Sequence, residues 1–142
     1  MLTVHIIGTG PGSSELLTKS AEKALNEATI VVGDTRLLSE MTEGKRRIQA
    51  YKVDEIRQIV READEKKDCL AVLVSGDVGF YSLAKILTDI PGCRIVRHPG
   101  ISSLVYFAAR TSTSWDDMYL MSRHGRDGNL TGAVMTHKKV FC

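Results

Sequence analysis

The chain has 142 residues, 43% hydrophobic and 25% charged, with a formal net charge of +2. This suits one globular domain, or one domain and a piece of another, and the small net charge gives no reason to expect a nucleic-acid partner. No apolar run approaches the roughly 20 residues of a membrane span, so no membrane partner is expected either.

The first strand is expected over Leu2 to Ile7, running straight into Gly8-Thr9-Gly10-Pro11-Gly12-Ser13. Leu17, Ala21, Ala24, Leu25 and Ala28 recur at helical spacing, with Thr18 or Ser20 as the cap. A second strand follows at Thr29 to Val32, closed by Gly33-Asp34, and then a short helix over Arg36 to Glu40. Gly44 to Arg47 reads as a turn into a brief strand ending near Ala50. Val53, Ile56, Ile59, Val60 and Ala63 form the apolar stripe of a helix for which Asp54 is the candidate cap. Cys69 to Val74 is an unbroken apolar run, as expected for a central parallel strand buried on both faces.

Gly76 and Gly79 precede a predicted helix bearing Leu83, Ala84, Ile86 and Leu87, which Pro91-Gly92 ends. Arg94 to Val96 is a further short strand, and Ser102 or Ser103 starts a helix through Ala109. The alternation of strands and helices predicts an α/β fold with an open, doubly wound parallel sheet. Thr111 to Ser114 reads as a polar linker, Met118 to Ser122 as a strand, Arg123 to Asn129 as a charged loop and Val140 onward as a strand cut short. The expected division is an N-terminal α/β domain over 1–112 and, over 113–142, the beginning of a truncated second α/β domain.

The three cysteines, Cys69, Cys93 and Cys142, are widely spaced and odd in number, which favours reduced thiols in the cytoplasm. The start has neither a basic n-region nor a long apolar h-region, so no signal peptide is expected. Lys45-Arg46-Arg47, the one dense basic run, reads as a solvated turn.

Open α/β sheets bind ligands outside the carboxyl ends of their strands. Three segments rich in glycine and serine leave strands there: Gly8 to Ser14, Ser75 to Tyr81 and His98 to Ser103. The first is nearly a dinucleotide fingerprint, but Ser13 stands where the third glycine belongs and Pro11 lacks an N–H for a pyrophosphate. Other chemistries fail on spacing. Ser75-Gly76-Asp77 lacks the upstream glycine of a nucleophile elbow, and no Gly-Lys-Ser or Gly-Lys-Thr supports a P-loop. Asp34 stands at the distance of a dehydrogenase's ribose carboxylate, but the broken fingerprint speaks against that role. His5, His98, His124 and His137 have no metal-ligand spacing, and no metal is expected. Asp116-Asp117 are neighbours that a strand would point apart, so they read as a turn rather than an acid/base pair.

Taken together, Gly8-Thr9-Gly10-Pro11-Gly12, Val31 to Leu38, Ser75 to Ser82 and Pro99 to Ser103 resemble the tetrapyrrole methylase family, which transfers methyl groups from S-adenosylmethionine (SAM). Trp115-Asp116-Asp117 and Ser122-Arg123-His124-Gly125-Arg126 are similar to the members that methylate carbon 5 of precorrin-7 or its cobalt form in cobalamin biosynthesis. The resemblance runs along nearly all of the chain. It implies two α/β domains, with SAM bound by Pro11, Ser75, Gly76, Asp77, Gly79, Phe80, Ile101, Ser102 and Ser103. It places a carboxylate-rich tetrapyrrole against Gly10, Pro11, Gly12, Arg36, Arg123, His124 and Arg126, with Arg47 a further candidate. It also admits a homodimer. The catalytic base is unassigned, with Asp77 and His124 as candidates. Three alternatives remain: a diphthine synthase-like protein methyltransferase, a dinucleotide-dependent oxidoreductase and an inactive fragment.

Overall fold

A computed structural model describes residues 1–38, 42–82, 84, 87–88, 90–122 and 127–142. By contacts the chain divides into two compact units, Met1–Ser102 and Ser103–Cys142.

The first unit is built on five parallel strands: β1 (Leu2–Gly8), β2 (Ile30–Gly33), β3 (Arg46–Gln49), β4 (Cys69–Val74) and β5 (Cys93–His98). Their order is β3-β2-β4-β1-β5, so the apolar run of β4 lies at the centre, as its composition predicts. Side chains alternate between the two faces. Leu70, Val72 and Val74 of β4 join Val4, Ile6, Ile30 and Val32 on one face, together with Ile56 and Val60 of α2 (Val53–Glu62). Ala71 and Leu73 join Ile7 and Val31 on the other, covered by Ala21, Ala24 and Leu25 of α1 (Lys19–Glu27). The sheet is therefore doubly wound.

The register along β1 runs from Thr3 opposite Cys69 to Gly8 opposite Val74 on one side, and from Leu2 opposite Cys93 to Ile7 opposite His98 on the other. Gly8 completes the first strand rather than ending it, because it is still in step with Val74. His5 Nδ1 lies 2.9 Å from His98 Nε2, so one ring donates and the other accepts.

Two local expectations are corrected. Residues 36–38 are a turn and not the start of a helix. The Asp34 carboxylate accepts from the Arg36 N–H at 2.9 Å, and the Asp34 carbonyl takes the N–H groups of Leu37 and Leu38. That Asx arrangement competes with helix formation, while residues 39 and 40 lie outside the described set. Asp54 is not the cap of α2, which starts at Val53 with Lys52 as the flanking residue. There Glu55 accepts from the Lys52 N–H at 3.3 Å, half of a capping box. In the helix predicted after Gly79, Leu83 and Ile86 lie outside the described residues, whereas Ala84 and Leu87 are buried with the α2 face of the core.

The second unit contains α3 (Ser103–Arg110), β6 (Tyr119–Leu120), α4 (Leu130–Thr136) and β7 (Val140–Phe141), with β6 and β7 paired in parallel. The strand expected over Met118 to Ser122 is only two residues long. Thr111 to Thr113 closes α3: the Thr111 hydroxyl donates to the Phe107 carbonyl at 2.9 Å and the Thr113 N–H to the Ala108 carbonyl at 2.9 Å. This stretch, expected as a linker, is thereby bound to the helix before it, and α3 groups with β6, α4 and β7. Asp116 and Asp117 lie in a turn closed by Met118 N–H to Trp115 carbonyl.

Candidate functional site

Parallel strands deliver their carboxyl ends to one edge, and the order β4-β1-β5 sets three of those ends side by side. The loops that leave them are the three glycine- and serine-rich segments. After β1 the chain crosses to the α1 face. After β4, the buried Ala84, Leu87 and Ile90 lie on the α2 face. Adjacent strands whose connections leave to opposite faces mark the place where open α/β sheets hold ligands.

Glycine is what lets these loops touch. A Cβ on Gly8 would come within 2.7 Å of both the Gly100 nitrogen and the Gly76 oxygen. One on Gly100 would run into the Gly76 carbonyl and the Gly8 backbone. The first two loops are also stitched by hydrogen bonds. Gly10 and Gly76 exchange N–H to carbonyl bonds at 3.0 Å each, and Thr9 donates its N–H at 2.9 Å and its hydroxyl at 3.1 Å to the Val74 carbonyl. Both Gly10 and Gly76 have left-handed φ, +66° and +67°, which non-glycine residues resist.

Asp77 ties the second loop to the third. Its Oδ1 accepts from the Gly100 N–H at 3.0 Å and its Oδ2 from the Gly79 N–H at 2.7 Å. Thr18, the cap of α1, donates its hydroxyl to the Pro99 carbonyl at 3.1 Å and accepts from the Ala21 N–H at 3.3 Å. The link from Thr18 to Pro99 has no counterpart in the sequence pattern, where Thr18 reads only as a cap.

Most of the candidate binding residues meet on this rim. Gly10 is buried in the stitch, with Pro11 and Gly12 exposed beside it. Ser75 and Gly79 are exposed, while Gly76, Asp77 and Phe80 are half-buried. Phe80 packs edge-on against Tyr81 with ring centroids 4.8 Å apart. Ile101 approaches Gly10, and the Ser102 Cα lies 3.8 Å from where a Gly76 Cβ would be. Ser103 begins α3 and belongs to the second unit.

Arg36 is exposed on the turn after β2, at the same edge of the sheet. Arg47 donates its Nε to the Thr42 carbonyl at 3.0 Å, which gives it a structural use. Arg123, His124 and Arg126 lie outside the described residues. Both oxygens of Asp77 are engaged by amides, which weakens its candidacy as a proton acceptor.

The sequence model of the Tetrapyrrole (Corrin/Porphyrin) Methylases matches residues 3–138. The chain belongs to the tetrapyrrole methylase family. It is 32% identical to a probable cobalt-precorrin-7 C(5)-methyltransferase of Methanocaldococcus jannaschii, over 97% of this chain and 69% of that protein. It is 33% identical to the cobalt-precorrin-7 C(5)-methyltransferase of Salmonella typhimurium, over 99% of this chain and 69% of that protein. Among solved structures, a precorrin-6Y methylase of cobalamin biosynthesis from Archaeoglobus fulgidus superposes with a TM-score of 0.65 at 25% identity, over 84% of this chain and 62% of the other. This member of the family thus spans about two thirds of the length of the relatives it matches.

The rim fits a group of the kind the family uses. It combines backbone polar groups and the exposed Ser75 with the half-buried Phe80 and Ile101. That mixture suits a ligand with a nucleoside, a carboxylate and an apolar thioether-like arm.

Proposed function

We propose that this protein is a SAM-dependent C-methyltransferase acting on carbon 5 of a precorrin or cobalt-precorrin in cobalamin biosynthesis. The observation that carries the reading is the closure of three glycine loops, backbone against backbone, at the carboxyl edge of β4-β1-β5. The names of its relatives support it.

When bound, the sulfonium group supplies an electrophilic methyl that a ring carbon takes in an in-line displacement. The chain's part is positioning. On this reading Gly76, Gly79, Phe80, Ile101 and Ser102 contact SAM, and the Gly10-Pro11-Gly12 turn faces the tetrapyrrole. Holding a methyl and a ring carbon in line at near-contact distance can supply on the order of 7–11 kcal/mol of barrier lowering. The S–CH3 electron pair goes to sulfur, and the proton released by the substrate needs a base; with both Asp77 oxygens held by amides, the remaining candidate is His124, which lies outside the described residues. Arg36 is exposed at the same edge and is a suitable partner for a substrate carboxylate, since guanidinium meets carboxylate through two parallel hydrogen bonds. The three thiols, none of them in a disulfide, accord with a cytoplasmic site of action.

The test is calorimetric titration with S-adenosylhomocysteine (SAH), the stable product. Micromolar affinity is expected, with no binding of NADP at the same concentrations. NADP binding without SAH binding overturns the reading in favour of an oxidoreductase.

A further inference from the structure

Two side chains from different loops grip a single peptide group. The Thr18 hydroxyl donates to the carbonyl of Pro99, and the Asp77 carboxylate accepts from the N–H of Gly100. Those are the two polar atoms of the Pro99–Gly100 peptide.

A peptide group is planar, so its oxygen and N–H swing together about the line joining its Cα atoms. Glycine on the carboxyl side lowers the resistance to such a flip, because Gly100 tolerates backbone angles that other residues avoid. A flip here would break both hydrogen bonds at once and turn the Gly100 N–H away from Asp77. The bond to Asp77 is charge-assisted and so the stronger of the two. Thr18 has a single hydroxyl proton, and it goes to Pro99, while a lone pair on the same oxygen caps α1 by accepting from Ala21. The second Asp77 oxygen holds Gly79, so the same carboxylate also fixes the turn of its own loop.

We propose that Thr18 and Asp77 are positioning residues: together they set the plane of the Pro99–Gly100 peptide and so the direction in which Ile101 and Ser102 face the rim. This rests on the reading of the rim as a cradle for SAM, and it assigns Asp77 an action through the backbone instead of as a base.

The experiment combines amide hydrogen exchange at Gly100 and Gly79, read by NMR in the ligand-free protein, with SAH titration of Thr18→Val, Thr18→Ser, Asp77→Ala and the double variant Thr18→Val/Asp77→Ala. Asp77→Ala and Thr18→Val should each speed Gly100 exchange and weaken SAH binding about tenfold, the effect of one hydrogen bond. Thr18→Ser should keep near-native affinity. The double variant should lose less than the product of the single losses, because both contacts serve one peptide. Native Gly100 exchange in Asp77→Ala overturns the grip. Fast exchange with unchanged SAH affinity overturns the positioning role. Losses that multiply overturn the shared peptide in favour of two separate contacts. A lowered unfolding temperature of Thr18→Val without loss of affinity marks a helix cap only. If the native protein binds no SAH, the cofactor reading falls and takes the positioning role with it, while Gly100 exchange still decides whether the grip exists.

Discussion

Gly100 shows how much a single missing methyl can govern. The three loops approach so closely at Gly8, Gly76 and Gly100 that a Cβ has no room in two of the three places. Gly100→Ala forces the third loop apart from both the Gly76 carbonyl and the Gly8 backbone. Overpacking of this sort costs about 1–3 kcal/mol, and here the displaced atoms are backbone that cannot change rotamer. The expected result is a lowered urea midpoint together with loss of SAH binding. Gly92 provides the control, since a Cβ there meets nothing within 4 Å and only its φ of +79° opposes the change. Gly92→Ala should lose some stability and no affinity. Equal loss of affinity in both variants would mean that the close approach at Gly100 has no bearing on the rim. These glycines were legible as loop residues because each follows an apolar strand. Their mutual contact was not, since residues 8, 76 and 100 are brought together only by the strand order.

At the scale of elements, β1 and β5 are joined by more than their ladder. His5 and His98 pair across them, and burial pushes both imidazoles below their ordinary value. For His5, the neighbouring His98 and Arg94 push the same way, and Glu27 at the end of α1 opposes them. Glu27 likewise opposes the shift of His98. The unfolded chain therefore binds protons at a higher pH than the folded one does. Stability from this pair is complete above the usual imidazole value of about 6.5 and is lost as pH falls through the lowered folded values. Urea unfolding at pH 7.5 and 5.5 should show a lower midpoint at the acid value, and His5→Gln should narrow the gap. An unchanged gap would place the acid sensitivity elsewhere. The elements themselves were largely readable. The run over Cys69–Val74 declared a central strand, and the alanine stripe of α1 declared its buried face. The misleading places are those where side chains intercept the backbone locally. Asp34 takes the amide of Arg36 and makes a turn out of a helical pattern, and Glu55 takes over the capping expected of Asp54. Thr18's reach to Pro99, across 81 residues, leaves no mark in any local pattern.

For the molecule as a whole, the two units differ sharply in what they bury. Among the described residues the first carries two continuous apolar clusters on either face of a five-stranded sheet. The second buries Leu104, Ala108 and Ala133, and its sheet has two strands of two residues each. It leaves large apolar side chains exposed, with Met135 at 81% and Val134 at 59%. Two-stranded sheets are marginal in water without a packed face. Amide exchange should therefore be slow in β1 and β4 and fast in β6 and β7, with protection in the second unit well below that of global unfolding. Comparable protection in both units would contradict this difference in cohesion.

The stitching of Gly10 to Gly76, and of Asp77 to Gly100, has one more consequence. These hydrogen bonds tie the turns to one another, so little backbone freedom is left at the seam for a ligand to remove. The Gly10, Gly76 and Gly100 amides should therefore be about as protected from exchange without SAH as with it, and protection that appears only on adding SAH would show that the ligand, not the seam, orders these turns.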